Sequence, residues 1–285
     1  MAKLDPRSDP DVPAGMSIEL LQDLHLVTRD GHLNADARRK LKQIRHLVGL
    51  LRPALDDALA RQREPLIVDC GAGKSYLGAL LYELVLGPAG RGTLVAIEMR
   101  PELSEQAAAR AARFGQERFR VVTGAIASGA LTARPNVVTA LHACDTATDD
   151  ALVLAIAMGA DHVAVVPCCQ AEVARQLEHA HAADPAVTAL FARPLHRREL
   201  GSHLTNVIRA LALEAHGYQV TVTELVGWEH SAKNELILGK RVNRYDAGAR
   251  AELRAVLDRF AIEPAVVRDL TARGLDPRSE PQNES

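Results

Sequence analysis

The sequence between Glu64 and Val166 alternates short apolar runs with helical segments, and this alternation constrains the fold more than any other feature. Five runs are rich in valine, isoleucine and leucine: 66–69, 94–98, 119–122, 137–142 and 162–166. Segments with helical periodicity lie among and after them, at 76–86, 102–114, 149–158 and 171–182. Near-continuous apolar strands separated by helices are typical of a parallel sheet covered on both faces. We therefore predict an α/β fold with a Rossmann-like sheet.

The rest of the chain adds elements on either side of this alternation. Two extended runs, 219–226 and 234–242, are joined by a connection short enough to force them to be antiparallel. Residues 183–200 break the rhythm and are predicted to be an inserted loop that carries its own charge. We expect three parts: a tail and helical extension (1–60), the sheet domain (61–243), and C-terminal helices with a disordered tail (244–285).

Composition narrows the class of protein. The chain has a net charge of −2, so no global basic field indicates a nucleic-acid partner, although a local patch remains open. No apolar run approaches the roughly 20 residues that span a bilayer, and the polar N-terminus is unlike a signal peptide. The four cysteines lack the spacing of a secreted scaffold, which favours a reducing compartment. We expect a cytoplasmic protein.

The stretch PLIVDCGAGKSYLGALL, residues 65–81, resembles a phosphate-binding loop but does not fit one. A P-loop needs a glycine where Val68 stands, and Asp69 would repel phosphate. The pattern that does fit is a strand, then D-x-G-x-G, then a helix. An acid followed by Gly71 and Gly73 suits a ligand that carries positive charge and no phosphate. S-adenosylmethionine, with its sulfonium and amino groups, is such a ligand.

A second acid strengthens this interpretation. Glu98 ends the next strand, where a carboxylate can accept hydrogen bonds from both ribose hydroxyls of a nucleoside. The predicted cofactor is S-adenosylmethionine. The candidate cofactor-binding residues are Asp69, Gly71, Gly73, Tyr76, Glu98, Met99, Ala125 and His142.

Five segments together carry a resemblance to a known superfamily: VDCGAGKSYLG, VAIEM, TALHACDTATDDAL, VVPCCQ and EHSAKNELILG. They resemble the class I S-adenosylmethionine-dependent methyltransferases over residues 64–242. More narrowly, they resemble a subgroup with a Leu-His-x-Cys segment after the fourth strand and Cys-Cys after the fifth, which includes tRNA 2′-O-methyltransferases of the Trm-thirteen type. The resemblance implies a seven-stranded sheet whose antiparallel last strand lies beside the fifth strand.

That strand order would bring candidate catalytic residues together at the carboxyl ends of the strands. His142 is the first candidate for a general base, since a histidine can take a proton from an attacking hydroxyl or amine. Cys168 is a candidate thiolate nucleophile, and Lys233 and Asn234 either contact the acceptor or complete a hairpin turn. A metal held by His142, Cys144, Cys168 and Cys169 is not expected, because adjacent cysteines point to opposite sides of an extended strand.

RNA is the expected methyl acceptor. Two local basic segments support it: the helix at 38–45 and the predicted loop with Arg193, His196, Arg197 and Arg198. Base stacking would depend on Trp228 and Tyr76, because aromatic residues are scarce. Two alternatives stay open, a small-molecule methyltransferase with 183–200 as a lid, and a non-catalytic protein that binds the cofactor. Nothing in the sequence indicates DNA, a membrane or an oligomeric state.

Overall fold

Seven strands form one sheet in the computed structural model, which describes residues 10, 12–33, 35–129, 131–141, 143, 145–167, 170–180, 185–224 and 235–280. The strands are β1 (Leu66–Cys70), β2 (Thr93–Glu98), β3 (Phe119–Thr123), β4 (Val137–Ala140), β5 (His162–Val165), β6 (Tyr218–Glu224) and β7 (Glu235–Arg241). Their order across the sheet is β3-β2-β1-β4-β5-β7-β6. The first five strands are parallel, and β7 runs antiparallel to both β5 and β6.

Helices cover both faces of this sheet. They are α1 (Ile18–Asp23), α2 (Ala35–Arg61), α3 (Tyr76–Leu81), α4 (Gly87–Ala89), α5 (Pro101–Arg113), α6 (Thr146–Met158), α7 (Glu172–His179), α8 (Pro185–Phe191), α9 (Pro194–Ala215), α10 (Ala247–Phe260) and α11 (Ala265–Ala272). A π-helical turn, Tyr82–Leu86, continues α3, and a 3-10 turn spans Ile126–Ser128. One apolar core joins the sheet to α2 and α3, and the other joins it to α6, α9, α10 and α11.

The predicted fold class is confirmed. The sheet is the Rossmann-like, seven-stranded sheet of the class I methyltransferase fold, with an antiparallel last strand and an N-terminal helical extension. The chain passes from β1 to β2 and β3 on one side, and reaches β4 and β5 on the other. The order therefore reverses between β1 and β4, and ligands of open α/β sheets bind at such a point, outside the carboxyl ends of the strands.

The prediction of an inserted loop at 183–200 is wrong. Residues 185–191 form α8, and α9 begins at Pro194 and continues without a break to Ala215. Proline at the first position of a helix has its backbone dihedral set for helix and gives up no needed hydrogen bond. The long helix therefore starts ten residues before the Leu204 start that the apolar pattern indicates.

The described end of the predicted N-terminal tail, residues 12–16, is packed against the fold. Val12 and Met16 are buried, and they belong to a core cluster with Leu20, Leu41 and Leu80. The extension is thus fastened to α3 and to the following π turn, where Glu83 accepts the Ser17 backbone N–H at 2.7 Å. Among the described residues, none of the helices is long and apolar enough to span a membrane.

Candidate functional site

The glycine loop lies at the switch point between β1 and β4. Gly71 and Gly73 have φ values of +62° and +57°, which side-chain-bearing residues rarely adopt. A Cβ added at Gly71 would lie 3.1 Å from the Cβ of Ala143, a residue just after β4. The loop therefore passes directly over the end of β4, and Gly71 is required both by its backbone conformation and by this close approach.

Ser75 ends the loop in an unusual state. Its φ is +54°, so a residue with a side chain takes the left-handed conformation immediately before α3. Its side chain is buried, and its Oγ has no hydrogen-bond partner among the described residues. The helix begins at Tyr76, and Ser75 is its N-cap without a side-chain cap bond.

Asp69 is almost completely buried, with 3% of its surface exposed. Its Oδ1 accepts a hydrogen bond of 2.9 Å from Thr139 Oγ1 on β4, the residue paired with it in the sheet. Burial raises the pKa of Asp69 to about 7, and the Thr139 bond only partly opposes this. A carboxyl group in this state is stabilised as an anion when a cation approaches it.

Glu98, at the end of β2, is bound from two directions. Its Oε2 accepts the Gly73 backbone N–H at 2.7 Å, and its Oε1 accepts the backbone N–H and the Nε of Arg100 at 3.1 and 2.7 Å. Burial by itself would raise the pKa of Glu98, but these donated bonds outweigh burial and lower it. In a P-loop, a backbone N–H at this position would point towards phosphate. Here the Gly73 N–H donates to the Glu98 carboxylate instead.

The other predicted cofactor residues surround Glu98 unequally. Met99 is 69% exposed, and Ala125 is exposed just after Gly124, whose N–H donates to the Glu98 carbonyl at 3.0 Å. Each is an exposed apolar residue that lies one or two positions after the end of a strand, Met99 after β2 and Ala125 after β3. Tyr76 is half-buried, packs against the N-terminal cluster, and lies 6.0 Å from the Arg110 guanidinium.

The four predicted catalytic residues, His142, Cys168, Lys233 and Asn234, lie outside the described residues, as do Cys144, Cys169 and Trp228. Their roles stay predictions. Three described neighbours lie at the edge formed by the carboxyl ends of the parallel strands: Ala143 follows β4, Gln170 follows β5, and Glu235 begins the antiparallel β7.

Sequence reasoning missed three residues of this site. Arg100 caps Glu98, Thr139 bonds to Asp69, and Ser75 carries the unpartnered hydroxyl. Arg100 lies two residues after a candidate acid, and this local signal was available. Thr139 becomes apparent only from the register of β1 against β4, and Ser75 only from its backbone angles.

The described residues fit S-adenosylmethionine. Glu98 retains acceptor capacity on Oε2 for a ribose hydroxyl, since a carboxylate offers about four acceptor positions and three are used. Met99 offers an exposed apolar surface for an adenine ring, and Asp69 favours positive charge nearby. When bound, this cofactor supplies an electrophilic methyl group.

Comparison with known proteins points the same way. Residues 39–176, slightly less than half of the chain, match the family model described as a methyltransferase domain. No curated protein matches the sequence.

Solved structures similar to the chain include three methyltransferases. An rRNA methylase from Streptococcus thermophilus has a TM-score of 0.45 and 11% identity, over 68% of this chain and 96% of that one. The S-adenosylmethionine-dependent methyltransferase SibL has a TM-score of 0.43 and 18% identity, over 72% and 57%. Magnesium protoporphyrin IX methyltransferase from Synechocystis PCC 6803 has a TM-score of 0.41 and 11% identity, over 78% and 93%.

The predicted enzyme class, methyltransferase, and the predicted cofactor, S-adenosylmethionine, are confirmed. The matched segment runs from α2 to α7 and contains the glycine loop, Asp69 and Glu98. The protein carries a methyltransferase domain and is an S-adenosylmethionine-dependent methyltransferase.

Proposed function

We propose that this enzyme methylates RNA, and that its narrower relatives are the RNA methyltransferases of the Trm-thirteen type. The observation that supports this proposal is the position of the basic half of α2. Five cations lie at residues 38–45: Arg38, Arg39, Lys40, Lys42 and Arg45. Arg39, Lys40, Lys42 and Arg45 are exposed.

The direction of α2 is fixed at its other end. Asp57 contacts His162 Nε2 at 2.7 Å, and Arg61 contacts Asp161 at 3.1 Å, both at the N-terminal end of β5. Leu47 and Val48 belong to the same core cluster as Leu141, which follows the carboxyl end of β4. The helix therefore crosses the sheet towards the cofactor edge.

The length of α2 carries its basic half to that edge and beyond it. Counted from Asp57 at about 1.5 Å per residue, the helix reaches Arg45 after about 18 Å and Arg38 after about 28 Å. Strands of four to six residues span only about 13–20 Å at 3.3 Å per residue. The cations therefore extend from about the level of the carboxyl ends of the strands to roughly 10 Å beyond them, on the side of the expected acceptor. A depression of about 530 Å³ on this part of α2 is lined by Lys42, Arg45, His46, Gly49 and Leu50.

The cations of α2 would neutralise phosphates of a bound RNA and release their counterions. The RNA would then lie next to the methyl donor. The proposed chemistry is transfer of the methyl group to a hydroxyl or ring atom, with His142 as general base and Cys168, Lys233 and Asn234 as further candidates. The proposed enzyme works in the cytoplasm.

The test is incubation with methyl-labelled S-adenosylmethionine and separate RNA, protein and small-metabolite fractions. Label in RNA supports the proposal, label in metabolites replaces RNA by a small-molecule acceptor, and no label leaves a cofactor-binding protein. The double variant Lys42→Glu/Arg45→Glu should reduce RNA binding and lower its log–log salt slope by about 1.4 for single strands. The matched control is Arg244→Glu/Arg254→Glu, which reverses two exposed cations elsewhere. An equal loss in both double variants would contradict the placement on α2.

A further inference from the structure

Three separate segments of the carboxyl edge converge on one face of α9. Ser202, Asn206 and Arg209 lie at positions i, i+4 and i+7 of this helix and so share a face. Asn206 and Arg209 are 6% and 1% exposed, although both are polar. Burying an amide and a guanidinium is costly unless each finds partners. The identity of those partners shows what the pair does.

Asn206 connects β5 to β7. Its Oδ1 accepts a hydrogen bond of 3.1 Å from Gln170 Nε2, and its Nδ2 donates to the Glu235 carboxylate. Ser202 Oγ holds the other end of the Gln170 amide at 2.9 Å. Gln170 directly follows Cys169 in sequence, and Glu235 directly follows Asn234.

Arg209 connects the same group to the segment after β4. Its guanidinium forms a bidentate pair with Asp149 at 2.7 and 2.8 Å, bonds Asn206 at 3.4 Å, and donates to the Asp145 carbonyl at 3.0 Å. Asp145 directly follows Cys144 in sequence.

Asp145 is held in a conformation that it would not adopt unaided. Its backbone angles are φ +50° and ψ −120°, a region costly for a residue with a side chain. Its carboxylate accepts the Ala171 N–H and an Arg175 Nη, each at 3.1 Å. The segments after β4 and β5 are thus linked to one another as well as to α9.

We infer that Asn206 and Arg209 are positioning residues for methyl transfer, which hold Asp145 after β4, Gln170 after β5 and Glu235 at the start of β7 in one arrangement. The inference rests on the methyl acceptor lying at this edge, as proposed above. Replacement of a buried ion pair by apolar side chains is often neutral or favourable for stability. The polar group is therefore explained better by the arrangement that it specifies than by the stability that it adds.

Hydrogen exchange tests the positioning without knowledge of the acceptor. In Asn206→Ala, peptides covering 141–147, 167–172 and 235–238 should lose protection together. The matched control is Asn136→Ala, because Asn136 is also a buried amide that donates to a carboxylate, that of Asp161 at 2.8 Å, but at the opposite edge. That control should leave the three segments protected. Loss of protection in one segment alone, or equal loss in both variants, would overturn the inference.

Kinetics separate positioning from folding. With total RNA as acceptor, Asn206→Ala should lower kcat at least tenfold, with the KM for S-adenosylmethionine within twofold of wild type. Asn206→Asp places a second carboxyl beside Glu235, and the two groups will share a proton at low pH. Its kcat relative to wild type should rise as pH falls from 8 to 6. A kcat within twofold of wild type at every pH overturns the inference. If the wild-type enzyme labels no RNA, the proposed function fails and the exchange experiment still decides.

Discussion

Two buried aspartates at opposite edges of the sheet have very different surroundings. Asp161, at the N-terminal edge, accepts hydrogen bonds from Arg134 at 2.6 Å and Asn136 at 2.8 Å, and forms an ion pair with Arg61 at 3.1 Å. Asp69, at the carboxyl edge, is as deeply buried and has a single side-chain hydrogen bond among the described residues, from Thr139. The first carboxylate is saturated by the protein, and the second is not.

The same contrast extends to the neighbours of each aspartate. At the carboxyl edge, Ser75 and Asp145 have positive φ values and the Ser75 hydroxyl is unpartnered. At the N-terminal edge, Asn136 uses its amide in both directions, to Asp161 and from the Leu66 N–H. Positive φ values and unpartnered buried oxygens also occur elsewhere among the described residues, at His25, Asn243 and Ala261 and at Glu83 and Gln116. The contrast between the edges therefore rests on the hydrogen bonding of the two aspartates: the network around Asp161 is saturated, and Asp69 keeps capacity for a ligand.

The largest expected effect is that substitutions at the two edges change different properties, cofactor affinity at the carboxyl edge and stability at the N-terminal edge. Glu98→Gln should weaken S-adenosylmethionine binding about 100-fold, because two hydrogen bonds to a charged acceptor contribute about 3 kcal/mol in total. Asp161→Asn should instead lower the free energy of unfolding by about 2 kcal/mol and leave binding within twofold. Calorimetric titration and urea denaturation measure the two quantities. If Glu98→Gln mainly destabilises the fold, or Asp161→Asn mainly weakens binding, the contrast between the edges is wrong.

The second effect is a pH dependence confined to the carboxyl edge. Because Asp69 has a pKa of about 7, it is protonated in mild acid and ionised above neutrality. Affinity for the cationic cofactor should rise by up to tenfold per unit between pH 6 and 7, and level off above pH 7.5. Calorimetry across pH 5.5 to 8.5 measures this. Asp69→Asn should bind weakly with a flat profile.

The coupling between protonation of Asp69 and folding gives a second test of this pH dependence. The folded pKa of Asp69 is raised from 3.8 to about 7, so its contribution to stability is complete below pH 3.8 and is lost as pH rises to about 7. Thr139→Val removes the bond that opposes the raised pKa, and should move the midpoint of the binding profile to higher pH. A midpoint that stays in place in Thr139→Val would assign the titration to another group.

Much of the fold could be predicted from the sequence, because its information is local. Apolar runs rich in valine located each strand to within one or two residues, since buried parallel strands leave no alternation to misread. The prediction for 183–200 failed because the charges of this segment suggested a loop, whereas α9 exposes His196 and Arg198 to solvent on a regular helix. The link between β3 and β4 is different again. Its described residues form a 3-10 turn and no helix longer than that. Instead, α11, which comes much later in the chain, packs on α6.

The site was predictable only in part, for a related reason. Spacing within one β-α-β unit was enough to predict Asp69, Gly71, Gly73 and Glu98. The partners of these residues depend on register, as with Thr139, or on helices far along the chain, as with Arg209 and Asp149. Such contacts carry no local periodicity, so they appear only when the sheet is assembled.

A smaller effect sharpens the description of the carboxyl edge. Arg100 fills Oε1 of Glu98 with two hydrogen bonds, and a ribose diol would need one of those positions. Arg100→Ala should therefore tighten binding of both S-adenosylmethionine and its demethylated product, by about threefold, because the exposed side chain makes a weak ion pair. Arg254→Ala is the matched change of charge at an exposed site on α10. Weaker binding in Arg100→Ala would show instead that Arg100 holds the cofactor.

The smallest effect belongs to the N-terminal edge. Asp57 contacts His162 at 2.7 Å and Arg61 at 3.3 Å, and the hydrogen bond from His162 is the main reason that its pKa is lowered. A lowered pKa contributes stability above the ordinary value of 3.8 that is lost as pH falls through the folded pKa. Because the carboxylate is partly exposed and its ion pairs are screened by solvent, Asp57→Asn should lower the free energy of unfolding by less than about 1 kcal/mol at pH 7.

As pH falls below 3.8, urea denaturation should distinguish this Asp57→Asn variant from wild type progressively less. Its affinity for S-adenosylmethionine at pH 7 should also equal that of wild type, because Asp57 lies at the opposite end of the strands from the cofactor edge. A change in affinity would mean that α2 transmits the state of one edge to the other. The two edges would then be one coupled unit, and the division between a saturated edge and a ligand-ready edge would have to be abandoned.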